Sequence, residues 1–183
     1  MAFIFSPELY QKPEPIVIAR QAFPDERGYF CEMYKYSEFK KNNIDTDFPQ
    51  DNLSVSKKGV LRGMHYQKHY KAQAKLVSVI QGSIIDVIVD IRTNSDTFKR
   101  WSAYYLNDCN KTMLYVPEGF AHGFVALDDS TIVHYKCTSE YDPSFDAGIR
   151  YDDPDIGIEW PKALDLIISE KDKNLPYLKD TFQ

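Results

Sequence analysis

The sequence predicts an all-β domain, a sandwich, barrel or jelly roll with few and short helices. Three features carry that expectation. Apolar residues alternate along several short runs, turn-forming residues punctuate those runs at close intervals, and helical character is confined to two brief stretches. Strands at short, regular spacing build packed or closed antiparallel sheets rather than strand–helix–strand units.

The clearest strand is "SIIDVIVDI" (83–91). Ile85, Val87, Val89 and Ile91 fall on one face, and Ile84, Asp86, Ile88 and Asp90 on the other. "AKLVSVI" (74–80), "RWSAYYL" (100–106), "TMLYVP" (112–117) and "STIVHYKCT" (130–138) are rich in β-branched and aromatic residues, which suit pleated surfaces. Between them lie "QGS" (81–83), "RTNSD" (92–96), "LNDCN" (106–110), "PEG" (117–119) and "LDDS" (127–130), each a turn signal. "YSEFKKNN" (36–43) reads as a short helix with Ser37 as its cap, and "PKALDLIISEKD" (161–172) as a second helix or a covering segment. No repeat, low-complexity tract or linker divides residues 1–183, so one domain is expected. A chain of this length buries about 70% of its unfolded surface, enough for a core without staples.

Net charge is −5, with both signs interspersed and no basic block, which argues against nucleic acid and anionic membrane as partners. Any cationic site must converge locally, in a pocket. Cys31, Cys109 and Cys137 are odd in number and form no C-x-x-C pair, which fits a reducing cytosol. "MAFIFSPELYQKPEP" has neither a basic lead nor a long apolar run, so no signal peptide is expected, and no stretch reaches membrane-spanning length. The expected location is cytoplasmic.

Within this β pattern some polar residues are out of place. "GVLRGMHYQ" (59–67) reads as a buried strand yet carries Arg62 and His65. Lys75 enters a strand beside Leu76, Val77 and Val79, His122 sits in "PEGFAHGF" (117–124), and Tyr135 lies in "IVHYKCT". Arg27 and Glu32 flank "DERGYFCE" (25–32), "QDN" (50–52) follows Phe48-Pro49, and "SEKD" (169–172) ends with Lys171 and Asp172. Taken singly, such residues are satisfied core groups, snorkelling lysines or solvated turns. His69, in a polar stretch, and His134, facing away from Tyr135, keep that reading. Taken together they exceed it, because buried charge is costly unless paired or used. A metal is not expected: there is no H-x-H pair, and on a strand His65 and His69 would stand more than ~12 Å apart at roughly 3.3 Å per residue. Acid–base chemistry by side chains, with no cofactor, is the expectation.

The ordered series "DERGYF", "QDNLSVS", "GVLRGMHYQ", "AKLVSVIQGSIIDVIVDIR", "YVPEGFAHGF", "HYKCTSEY", "DPDIGIEWP" and "ISEKD" resembles the dTDP-4-dehydrorhamnose 3,5-epimerase family over about residues 14–178. The resemblance implies a cupin-type jelly roll (a double-stranded β-helix), commonly a homodimer exchanging N-terminal strand segments. It also implies a dTDP-linked 4-keto-6-deoxyhexose substrate whose C3 and C5 protons flank a C4 carbonyl. By resemblance His65 is the base, Asp172 orients it, Tyr135 is the acid on the opposite side, and Lys75 stabilises the enolate oxygen. Arg62 serves the diphosphate from the same subunit and Arg27 from the exchanged partner, as suits bidentate donors. Gln50, Asp51 and Asn52 match a contact segment, Glu32 and Tyr141 a thymine-binding pair, and His122 and Lys171 further binding positions.

Asp146 stands where the family commonly has Glu, Tyr151 where Trp is usual, and Ala74 where Gly commonly precedes the lysine. Relatives that epimerise C3 or C5 alone share the catalytic residues, so a single-site epimerase remains an alternative, as does a non-catalytic sugar-nucleotide binder. Arg62 and His65 are three apart and would face opposite ways on a regular strand; a bulge at Gly63 would turn both inward.

Overall fold

The structure, a computed structural model, describes residues 2–9, 12–44 and 47–181. In chain order the elements are β1 (Phe3–Pro7), β2 (Ile16–Arg20), β3 (Ala22–Asp25), β4 (Gly28–Cys31), α1 (Tyr36–Lys41), β5 (Gln50–Ser56), β6 (Val60–Gln67) and β7 (Lys75–Gln81). They continue with β8 (Ser83–Asp90), β9 (Trp101–Asn107), β10 (Thr112–Val116), β11 (Phe120–Ala126), β12 (Thr131–Cys137), β13 (Asp146–Gly148), β14 (Ile167–Ile168) and α2 (Glu170–Lys173). One sheet runs β1-β2-β10-β7-β12-β5; the other runs β13-β6-β11-β8-β9, with β14 added in parallel to β6. β3 and β4 form a separate hairpin.

The two sheets face each other across a core of Val77, Val79, Leu114, Val116 and Val133 from the first sheet and Ile84, Ile88, Leu106, Phe120 and Phe124 from the second. Alternation decides this directly. The Ile84/Ile88 face of β8 looks inward, while Val87 and Val89 join a second cluster behind the sheet with Met64, Ile149 and Leu178. A third cluster, centred on Phe39 of α1 with Phe3, Ile18 and Met113, covers the outside of the first sheet.

One helix expectation is corrected, and of two readings for another segment one is decided. Ser37 lies inside α1; the N-cap is Lys35, which makes no side-chain capping bond. Residues 161–172 are not one helix but a covering segment that pairs Ile167 and Ile168 with Val60 and Leu61, then turns into α2. Ser169 caps α2 by accepting the Asp172 N–H at 3.1 Å.

The strand that carries Arg62 and His65 is irregular. Against β11, His65 pairs with His122 while Arg62 pairs with Phe124, so β6 fits three steps to two. Gly63 sits at the irregularity with φ +139°, and an added Cβ there would lie 2.6 Å from the Gly123 Cα. A side chain is excluded by both conformation and space.

Candidate active site

At one end of the sandwich the sheets part around a cavity of about 480 Å³. The β6 bulge sends both Arg62 and His65 into it, Lys75 and Tyr135 enter from the opposite sheet, and His122 comes from β11. Leu61, Phe124 and Ile168 give it an apolar wall, and Ser169, Lys171 and Asp172 close it from the C-terminal segment. A second lobe of about 350 Å³ shares His65, Lys75, Tyr135 and Lys171 and adds Gln50, Asn52, Tyr141 and Asp146. The shared side chains stand where the lobes join.

His65 Nε2 lies 2.8 Å from Asp172 Oδ1, and Asp172 Oδ2 accepts the Gly63 N–H at 3.3 Å. Burial alone would push the Asp172 carboxyl up, but the bond and charge of His65, the Gly63 N–H and Ser169 outweigh it and hold the group below its ordinary value. Lys75 Nζ donates to the His65 carbonyl at 3.4 Å. Burial pushes its ammonium down, opposed by Cys137, Asp86 and Asp146. Burial also pushes the Tyr135 phenol up, with Cys137 adding to the rise and the Arg62 charge opposing it, so the hydroxyl holds its proton. Arg62 is steadied through Ser56 Oγ, which accepts from its Nε at 3.1 Å.

Lys171 and Asp146 are joined by an ion pair of 2.5 Å. Gln50 Nε2 donates to Asn52 Oδ1 at 3.0 Å, and Gln50 Oε1 accepts the Tyr141 N–H at 2.6 Å. Asp51, between them, points the other way. Its carboxylate accepts from Lys136 at 2.7 and 3.0 Å and stands 3.8 Å from His134, on the outer face. Strand alternation makes this unavoidable once Gln50 and Asn52 face inward. Arg27 and Glu32 do not line the cavity either. Arg27 sits at the hairpin turn, paired with Asp25 at 2.5 Å, and Glu32 follows β4. His69 is exposed and opens a short 3₁₀ turn. Among the described residues, no three His, Cys, Asp or Glu side chains converge as a metal site.

One site residue escaped the motif reading. His122 Nε2 lies 2.9 and 3.1 Å from the two oxygens of Asp86, which is fully buried on β8. The signal was present as a carboxylate on the face of "SIIDVIVDI" that also carries Ile84 and Ile88. Because His122 pairs with His65 across β6 and β11, two imidazole–carboxylate pairs stand side by side.

The arrangement brings together a carboxylate-bound imidazole from one sheet, a protonated phenol from the other, and a lysine at their junction. The family model for dTDP-4-dehydrorhamnose 3,5-epimerase matches residues 11–180. This chain belongs to the dTDP-4-dehydrorhamnose 3,5-epimerase family. It is 52% identical over 167 residues to a dTDP-4-dehydrorhamnose 3,5-epimerase of Methanothermobacter thermautotrophicus, covering 90% of each chain. Among solved structures it resembles a dTDP-6-deoxy-D-glucose-3,5-epimerase of Legionella pneumophila in complex with dTDP-4-keto-L-rhamnose. The TM-score is 0.91 at 38% identity, with 99% of this chain and 95% of that one covered. A 3'-monoepimerase of Streptomyces bikiniensis in complex with dTDP-quinovose is similar at a TM-score of 0.89 and 31% identity, with coverages of 94% and 87%. The all-β, cupin-type architecture is that of the family.

Proposed function

We propose that the chain inverts C3 and C5 of dTDP-4-dehydro-6-deoxy-D-glucose, giving dTDP-4-dehydro-L-rhamnose. One observation carries the reading: His65 and Tyr135 enter a single cavity from opposing sheets, with Lys75 at the junction of its lobes. His65, oriented by Asp172, removes a proton next to the C4 carbonyl; the charge moves to the C4 oxygen beside Lys75; Tyr135 returns a proton to the other side of the ring. The second carbon follows by the same steps. General acid–base catalysis is typically worth about 10²–10⁴-fold, so enolate stabilisation and positioning supply much of the rest.

Arg62 takes the diphosphate, while Gln50, Asn52, Tyr141, Asp146 and Lys171 hold the nucleotide end. Arg27 and Glu32 belong to a partner's site, in a homodimer that exchanges N-terminal segments. The hairpin supports this: Phe23, Tyr29 and Phe30 are exposed on it, as are Leu53 and Val55 on the edge strand β5, and a second copy would cover them. The domain works without a cofactor, in the cytoplasm.

The test is proton exchange. The dTDP-4-keto-6-deoxy sugar is incubated with protein in D₂O and C3 and C5 are followed by NMR. Exchange at both carbons is expected. Exchange at one would make the chain a single-site epimerase, and exchange at neither a binder. His65→Asn should abolish exchange while dTDP still binds; near-normal exchange in that variant would remove the base assignment.

A further inference from the structure

β8 carries two buried carboxylates on one inward face, and they are used differently. Asp90 ties down the loop that follows it, accepting from Arg92, Ser95 and Thr97 at 2.6–2.8 Å. Asp86, also fully buried, holds no backbone N–H among the described residues; its hydrogen bonds go to His122 Nε2 at 2.9 and 3.1 Å. A buried carboxylate is costly unless it is paired, and this one supports no loop. It lies opposite Phe124 of β11 and Tyr104 of β9, behind the cavity wall.

We propose that Asp86 is a positioning residue for the reaction. It fixes the His122 ring from behind and sets a negative charge near Lys75, so that the ring and the ammonium are both held facing the oxygen that gains charge. This rests on the epimerase reading above. The charge has work to do there. Burial pushes the Lys75 ammonium down, and Asp86 and Asp146 are the carboxylates that oppose this. The other titratable groups around Lys75 are His65 of β6, His122 of β11, Tyr135 and Cys137 of β12, Tyr141, and Lys171 and Asp172 of α2, the last already bonded to His65; Arg62 adds a fixed charge. None of these places a carboxylate behind the wall. His122 and Lys75 come from facing sheets, so a carboxylate bonded to one and acting on the charge of the other couples the two halves of the site.

Asp86→Asn keeps the shape and removes the charge. Exchange at C3 and C5 in D₂O should fall about 10²-fold at neutral pH, the scale of losing a donor to a developing oxyanion. Affinity for dTDP should stay within threefold. The alkaline limb of the exchange profile should move to lower pH, because Lys75 loses an opposing charge and deprotonates sooner. Burial pushes the Tyr135 phenol the other way, upward. A merely structural role would lower the rate and leave the limb in place. Asp86→Ser, smaller and still able to accept from the ring, should give the same direction and stands in if Asn prevents folding. Exchange within threefold of wild type, an unmoved limb, or failure of both variants to fold would overturn the proposal. Wild-type protein that exchanged neither proton would instead remove the epimerase reading on which it rests.

Discussion

Replacing Asp172 with Asn isolates the His65–Asp172 pair. The carboxylate side chain is 6% exposed and lies 2.8 Å from the ring nitrogen, with the Gly63 N–H fixing its other oxygen. On the proposed mechanism, proton abstraction turns His65 into a cation facing that carboxylate. With charge centres ~4 Å apart and an effective dielectric of about 20, the attraction is about 4 kcal/mol. The imidazole is 31% exposed, so water replaces part of it when the charge is removed. About 3 kcal/mol of transition-state stabilisation should be lost, or roughly 10²-fold in kcat at 1.36 kcal/mol per tenfold. The amide keeps the shape, so dTDP affinity by calorimetry should change less than threefold. Initial rates with the 4-keto sugar nucleotide, beside that affinity, separate the two effects. A variant retaining kcat within threefold of wild type would show that the pair does not orient the base. A parallel collapse of dTDP binding would show that Asp172 holds the cavity together rather than the proton.

Two further perturbations test the frame around the site. Gly63→Ala should destabilise the protein by at least about 2 kcal/mol and abolish turnover, because the residue has φ +139° and its Cβ would press on Gly123; an unchanged urea midpoint with normal activity would remove the bulge from the explanation. Asp90→Asn should cost about 3 kcal/mol or more at pH 7 by urea unfolding, since Arg92 would lose its buried partner. Burial raises the Asp90 carboxyl, but Arg92, Thr97 and Ser95 outweigh it and hold the group below its ordinary value. A depressed native value gives stability that is complete above about pH 4 and fades as pH falls through it. The gap between wild type and variant should therefore narrow in acid, and a gap constant from pH 7 to pH 3 would refute the assignment.

Much of the fold was legible because strand alternation is written residue by residue. The five runs between residues 74 and 138 that alternate or carry β-branched residues are all strands, and the turn signals lie between them. β1, β2 and β13 were less visible because they are short, and β14 is a two-residue pairing created by tertiary contact with β6. Ser37 misled because capping preference is local, whereas the start of α1 is set by Phe39 docking on the first sheet. At the site, charged residues inside apolar runs pointed to His65, Lys75, His122 and Tyr135, and the bulge at Gly63 was inferable from a spacing of three on a period of two. Asp51 shows the limit of motif matching: three adjacent residues on a strand cannot all face one cavity. Asp86 was missed because its partner His122 is 36 residues away, a distance that only pairing of β8 with β11 closes.

The carboxylate that serves His65 arrives 107 residues later in the chain, on a segment that follows both sheets and joins β6 through two residue pairs. On the proposed mechanism competence is therefore acquired last: a ribosome has made every strand of both walls before the imidazole meets its counterpart. By the same mechanism, a chain ending near residue 165 would keep every strand except β14 yet leave His65 without its carboxylate, so the reaction hangs on the last short segment rather than on the bulk of the molecule.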